Sequence, residues 1–201
     1  MSKRLAFTAS ILATFTLGAA PTPPATDGAR LLEEFRAICL DFDGAMDIAE
    51  EVALERGYRH APDEVQEDLF QRGGLYVYSR DVDGTHWRLV MKKARYFLGA
   101  SETEASTTRF IQCAVSADPG DFSSARRAVA RHTGLRSFAQ RNTTVFAWTP
   151  GEDDERHQVP AVSFERRGIE LFNEEGMRAI MVARHGNQVI MTLMTPQEPV
   201  A

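Results

Sequence analysis

Asp41 and Asp43, one residue apart and followed directly by Gly44, are the pair whose types and spacing point most directly to chemistry. Carboxylates are the groups that nucleophilic and metal-assisted chemistry draws on. The pattern recurs at Asp81-Val82-Asp83-Gly84-Thr85, and Gly151-Glu152-Asp153-Asp154 adds a late acidic stretch. Arginine offers a second chemistry. Arg126, Arg127, Arg131, Arg136 and Arg141 lie close in sequence, with Arg127 and Arg131 one helical turn apart. Guanidinium groups so placed can pair with a carboxylate or phosphate through parallel hydrogen bonds, which makes Arg127 and Arg131 the candidate ligand-binding residues. Cys39 and Cys113 are the only cysteines. Lacking CxxC spacing, they suit a structural disulfide better than a redox site.

The stretch Ala37-Ile38-Cys39-Leu40-Asp41-Phe42-Asp43-Gly44-Ala45 resembles the hhhhDxDGT signature of haloacid-dehalogenase-type phosphatases. The resemblance implies a metal-dependent phosphatase with Asp41 as nucleophile, Asp43 as acid and base, and Mg²⁺ bound beside them. The sequence departs from that family at several points. Ala45 replaces the threonine, and the residues before Asp41 follow a helical period back to Leu31 instead of a buried strand. Lys92 and Lys93 both precede Ser116, the one serine suited to the family's middle motif. Hairpin signals stand where the family's alternating parallel strands and helices are required. The binding and catalytic readings therefore divide on local structure: a helix ending in an exposed turn favours binding, and a buried parallel strand favours catalysis.

Other site signatures are absent. With Gly84 at the sixth position of a calcium loop, Ser79, Asp81 and Asp83 take ligand positions, but Val90 falls where a carboxylate is required. His60, His86, His132, His157 and His185 lack metal-ligand spacing. There is no nucleophile elbow, phosphate loop or dinucleotide fingerprint. No catalytic residue is assigned on these grounds, and no cofactor or metal is expected.

The elements that must position these residues can be read from periodicity. Asp27 stands where a helix cap belongs, and Leu31, Leu32, Phe35, Ile38, Cys39 and Phe42 form a helical stripe. A second helix carries Ala45, Ile48, Ala49 and Val52 and ends at Gly57, so the two form a hairpin across Asp41 to Gly44. Strands are expected over 75–80 and 86–91, joined at Asp83-Gly84, with a further strand starting near 96–98 and another over 107–117 that turns Ile111, Cys113 and Val115 one way. Asp121 caps a helix through Ala125, Ala128 and Val129 that ends at Gly134. Strands follow over 143–148, 159–164, 178–183 and 189–193, while 170–175 is ambiguous. This order predicts the α+β class, an N-terminal helical hairpin and one further helix packed on a mainly antiparallel sheet. A Cys39–Cys113 disulfide would then join a helix's apolar face to a strand's inner face.

Residues 1–20 carry the layout of a secretory signal: Lys3 and Arg4, an apolar run, then small residues before Pro21, Pro23 and Pro24. Cleavage is expected between residues 19 and 26, followed by a linker over 21–29 and a single domain over 30–196. No lipobox cysteine follows the signal, and the apolar run is too short for a membrane span, so no stable membrane anchor is expected. The chain has 23 basic and 28 acidic residues, and losing Lys3 and Arg4 leaves 21 against 28, a net charge of −7. That balance argues against nucleic acid as a partner.

Phe35-Arg36-Ala37-Ile38-Cys39-Leu40, with Asp43, Ala45, Ala49 and Gly57-Tyr58 after it, is similar to the start of small uncharacterised secreted proteins of Gram-negative bacteria. In them a cysteine-bearing helix, a second helix ending in glycine and an aromatic, and strands with a second cysteine follow one another. The resemblance implies a periplasmic or secreted setting and brings no activity. The expectation is an exported binding or envelope-associated domain, its partner a small ligand or an envelope protein.

Overall fold

The computed structural model describes residues 24–62, 75–98, 106–140, 142–152 and 155–197. Residues 1–20, where the sequence predicts a secretory signal, Arg141 and the acidic pair Asp153-Asp154 lie outside them. The protein is an α+β fold in which helices pack on one large antiparallel sheet.

Helix α1 (Gly28–Phe35) runs straight into a wider turn over Arg36–Leu40, where the Asp41 amide bonds the Arg36 carbonyl at 3.0 Å and the Gly44 amide bonds that of Cys39 at 2.8 Å. Helix α2 (Met46–Glu55) folds back to complete the hairpin. Strands β1 (Arg59–His60), β2 (Leu75–Val82), β3 (Thr85–Leu98) and β4 (Ser106–Asp118) follow, then helix α3 (Phe122–Thr133). After α3 come β5 (Phe138–Gln140), β6 (Thr143–Pro150), β7 (Arg156–Gln158), helix α4 (Ala161–Glu174), β8 (Arg178–His185) and β9 (Gln188–Pro196). The sheet order is β1-β2-β3-β4-β9-β8-β6-β5, with β7 sharing the edge of β6. Every pairing between these strands is antiparallel.

Local chemistry accounts for most boundaries. Asp83 and Gly84 both take positive φ, 53° and 75°, as a two-residue hairpin turn between right-twisted strands demands. The Asp121 carboxylate accepts from the Ser124 amide at 3.0 Å and caps α3, and Gly134 closes that helix with φ 71°. Asp27 precedes α1 as expected but has a different partner: its carboxylate accepts from the Ser124 hydroxyl at 2.5 Å, tying the starts of α1 and α3 together. Gly28 permits that approach, because a Cβ there would lie 2.2 Å from the Ala125 amide nitrogen. Thr26 already belongs to the fold, with its amide on the Pro119 carbonyl at 2.8 Å and its hydroxyl 2.9 Å from that of Thr85.

Strand alternation sends Trp87, Leu89 and Met91 of β3, Cys113, Val115 and Ala117 of β4, and Val189, Met191 and Leu193 of β9 to one face. Leu31, Phe35 and Ile38 of the first helical segment, Ala49 of α2, and Ala125 and Val129 of α3 cover that face and form the main core. The Cys39–Cys113 disulfide lies within it, both residues fully buried, and staples helix to sheet with Cα atoms 5.6 Å apart.

Three expectations need correction. Residues 159–164 are not a strand: Pro160 sets extended backbone and α4 begins at Ala161. The helical stripe Phe164, Leu171 and Phe172 is interrupted by Gly168, where an apolar residue would have revealed the period. Helix α4 covers the opposite face of the sheet, over Val145, Ala147 and Ala179, and Phe172 reaches Phe110 of β4 at a ring separation of 6.3 Å. Residues 96–98 do not start a separate strand but continue β3. Phe42 leaves the buried stripe, 39% exposed, because the helix has already ended.

Candidate functional site

Among the described residues, α4 covers the face of the sheet opposite the hairpin at its β6–β8 end and over Phe110, and Ala61 packs with the buried Leu75 and Val77 at its β2 end. Across β2, β3, β4 and β9 the outward residues line a valley of about 360 Å³, within the range of small-molecule sites. Register places its lining in rows. Lys92 of β3 pairs with Gln112 of β4, Val90 with Ala114 and then Thr192 of β9, and Arg88 with Ser116 and then Ile190. Leu75 flanks Lys92, Met181 flanks Thr192, and Gln188 closes the Arg88 end. The Gln188 amide donates to the Ser116 hydroxyl at 2.9 Å, so both side chains are held in place.

The charge of this valley contrasts with that of the chain. Its lining includes two cations and no acid, and neither Arg88 nor Lys92 has an ion-pair partner among the described residues. Among the described residues, the nearest acids on that face, Asp81 and Asp118, lie one row beyond Arg88, opposite His86. Asp81 is engaged by His86 at 2.8 Å. Small side chains at Ala114 and Ser116 keep the floor low between the two long cationic ones.

The residues singled out from sequence do not converge on this valley. Asp41 and Asp43 occupy an exposed turn after a helix, and each turns to a different arginine. Arg36 donates to Asp41 at 3.4 Å, and Arg178 grips Asp43 through two bonds of 2.7 and 2.5 Å. Among the described residues no parallel strand delivers them to a cleft, and Asp43 ties the turn to β8. Asp83 of the second DxDGT string pairs with Arg30 at 3.1 Å. Among the described residues, no group of His, Cys, Asp and Glu could hold a metal ion.

Arg131 lines a separate groove of about 520 Å³ between α1 and α3, with Arg36, His132, Glu33 and Asp41. Arg127 is exposed on α3 and lies outside that lining. Two acids face two arginines there, so the groove largely satisfies its own charge. Burial, then the nearby Arg36 and Arg156, hold the His132 pKa below its ordinary value.

A buried charge cluster was not anticipated from sequence. Glu34 is 6% exposed and lies 2.8 Å from Arg80 and 2.9 Å from Arg56. The Arg80 guanidinium lies over the Tyr58 ring at 4.6 Å. Burial, then the negative charge of Glu34, push the Tyr58 hydroxyl well above the ordinary tyrosine range. The signal was an acid inside the apolar stripe of α1, between Leu31 and Phe35.

Of the valley residues, only Lys92 had a sequence signal: Lys92 and Lys93 are the sole lysines after Lys3, and alternation puts Lys92 on the outer face and Lys93 on the other. Among the described residues, no helix is long and apolar enough to cross a membrane. Comparison with protein-family models, curated proteins and solved structures finds no match to this chain.

Proposed function

We propose that the protein is an exported binding domain that holds a small organic anion in the valley on the sheet face opposite the helical hairpin. One observation carries the reading: Arg88 and Lys92, unpaired among the described residues, share a lining that contains hydrogen-bonding groups and no acid. Ligand carboxylates would meet a guanidinium or ammonium group together with the side-chain amide of Gln112 or Gln188, and charge-assisted hydrogen bonds are the stronger kind. Leu75, Val90, Ala114, Met181 and Ile190 supply apolar surface for the ligand's carbon body. Export is supported by the secretory layout of residues 1–20 and by the buried Cys39–Cys113 disulfide, a bond that persists in oxidising compartments.

Calorimetric titration of the oxidised protein with alkyl carboxylates tests this reading. Saturable binding that weakens about tenfold or more, at least about 1.4 kcal/mol, when Arg88→Met and Lys92→Met are combined is the expected result. Unchanged affinity in that double variant would remove the valley as the site.

A further inference from the structure

The rows of the valley specify more than a preference for negative charge. Lys92 and Gln112 form one polar pole, and Arg88 with Ser116 forms the other. Between them lies a waist of Val90, Ala114 and Thr192, which presents methyl groups and a single hydroxyl. The two cations are four residues apart on one strand and on one face, which sets their Cα atoms about 13 Å apart at ordinary strand rise. Gln112 and Ser116 repeat the same spacing on β4. Long flexible stems let both charged heads lean inward over the waist.

We infer that the valley is built for a linear dianion with two acidic ends and an apolar middle, the α,ω-dicarboxylate class. This inference rests on the anion-binding reading above and adds the second charge and its spacing. A ligand with one acid would satisfy one pole and leave the other cation facing its alkyl tail. A very short diacid would reach only one pole. A diacid hydroxylated along its middle would strip water from its hydroxyl groups over the apolar waist with too few partners to replace it.

The test compares butanedioate, octanedioate and decanedioate with octanoate and decanoate by titration into the oxidised full-length protein at low salt. The longer dicarboxylates are expected to bind roughly tenfold or more tightly than the monocarboxylate of equal length and than butanedioate. Lys92→Met and Arg88→Met should each abolish that advantage while leaving monocarboxylate binding within a few-fold. Equal affinity for mono- and dicarboxylates in the unmodified protein would overturn the dianion inference and leave the anion reading standing. If none of the five probes binds, both fail. The chain-length series needs no variant, so it decides the matter even if a substitution disturbs the sheet.

Discussion

Replacing Cys39 and Cys113 together by alanine removes a covalent link between residues 74 positions apart. In the chain-entropy treatment, a closed loop of that length lowers the free energy of the native state relative to the unfolded ensemble by about 4 to 5 kcal/mol. Both sulfurs are fully buried in the core between α1 and the sheet, so their loss adds about 1 kcal/mol at each site for unfilled volume. The sum, about 6 kcal/mol, is a large share of the 5 to 15 kcal/mol by which a domain is usually stable. Urea unfolding can be followed through Trp87 and Trp148, which are 1% and 4% exposed within the same core. With a slope near 2 kcal/mol/M, the midpoint should fall by about 3 M, and the slope should rise because the unlinked chain expands further. Unmodified protein unfolded in reductant should lose most of the same stability, and its intact mass should increase by two hydrogens on reduction. A midpoint shift below about 0.5 M would show that the link constrains nothing and refute the reasoning.

Glu34→Gln should cost about 3 kcal/mol, because it leaves Arg80 with its partner's charge removed in a largely buried position; a double-mutant cycle with Arg80→Met should show strong coupling, and additive losses would argue against it. His132 has a folded-state pKa below its unfolded value, so protonation favours the unfolded chain: stability should fall as the pH drops below about 6.5 towards the folded value, and His132→Gln should flatten that limb of the urea-midpoint profile.

Much of the architecture was legible because its signals are local. Asp-Gly pairs require positive φ, alternation assigns Cys113 to the inner face, and the Asp121 cap with Gly134 brackets the 12 residues of α3. Helix α4 was lost for an equally local reason, since Gly168 stands in the middle of its apolar stripe and Val162 projects outward, 58% exposed. The Asp41-x-Asp43 string imitates a catalytic motif because a chain leaving a helix through a tight turn favours the same residues, Asp and Gly, that a phosphatase loop uses. Its true partner, Arg178, is 135 residues away, and no local pattern announces that pairing. The valley is less legible still, since it is assembled from β2, β3, β4, β8 and β9 and exists only once the register is fixed.

An antiparallel sheet can leave one face to water, and a solvated face ordinarily mixes both signs of charge. Among the described residues, the lining of the valley is cationic without an acid. Helix α2 alone carries Asp47, Glu50, Glu51 and Glu55, whereas the middle of β3, β4 and β9 presents lysine, arginine, amides and hydroxyl groups outward. The acidic balance of the whole chain repels an anion at long range, and the valley attracts it only on close approach. Salt acts on these two effects unequally. A Debye length of about 10 Å at 0.1 M removes most of the repulsion from acids across the molecule but little of a direct guanidinium–carboxylate contact. Raising ionic strength from very low values should therefore speed association more than it weakens the bound state, the reverse of what a uniformly basic anion-binding surface would give.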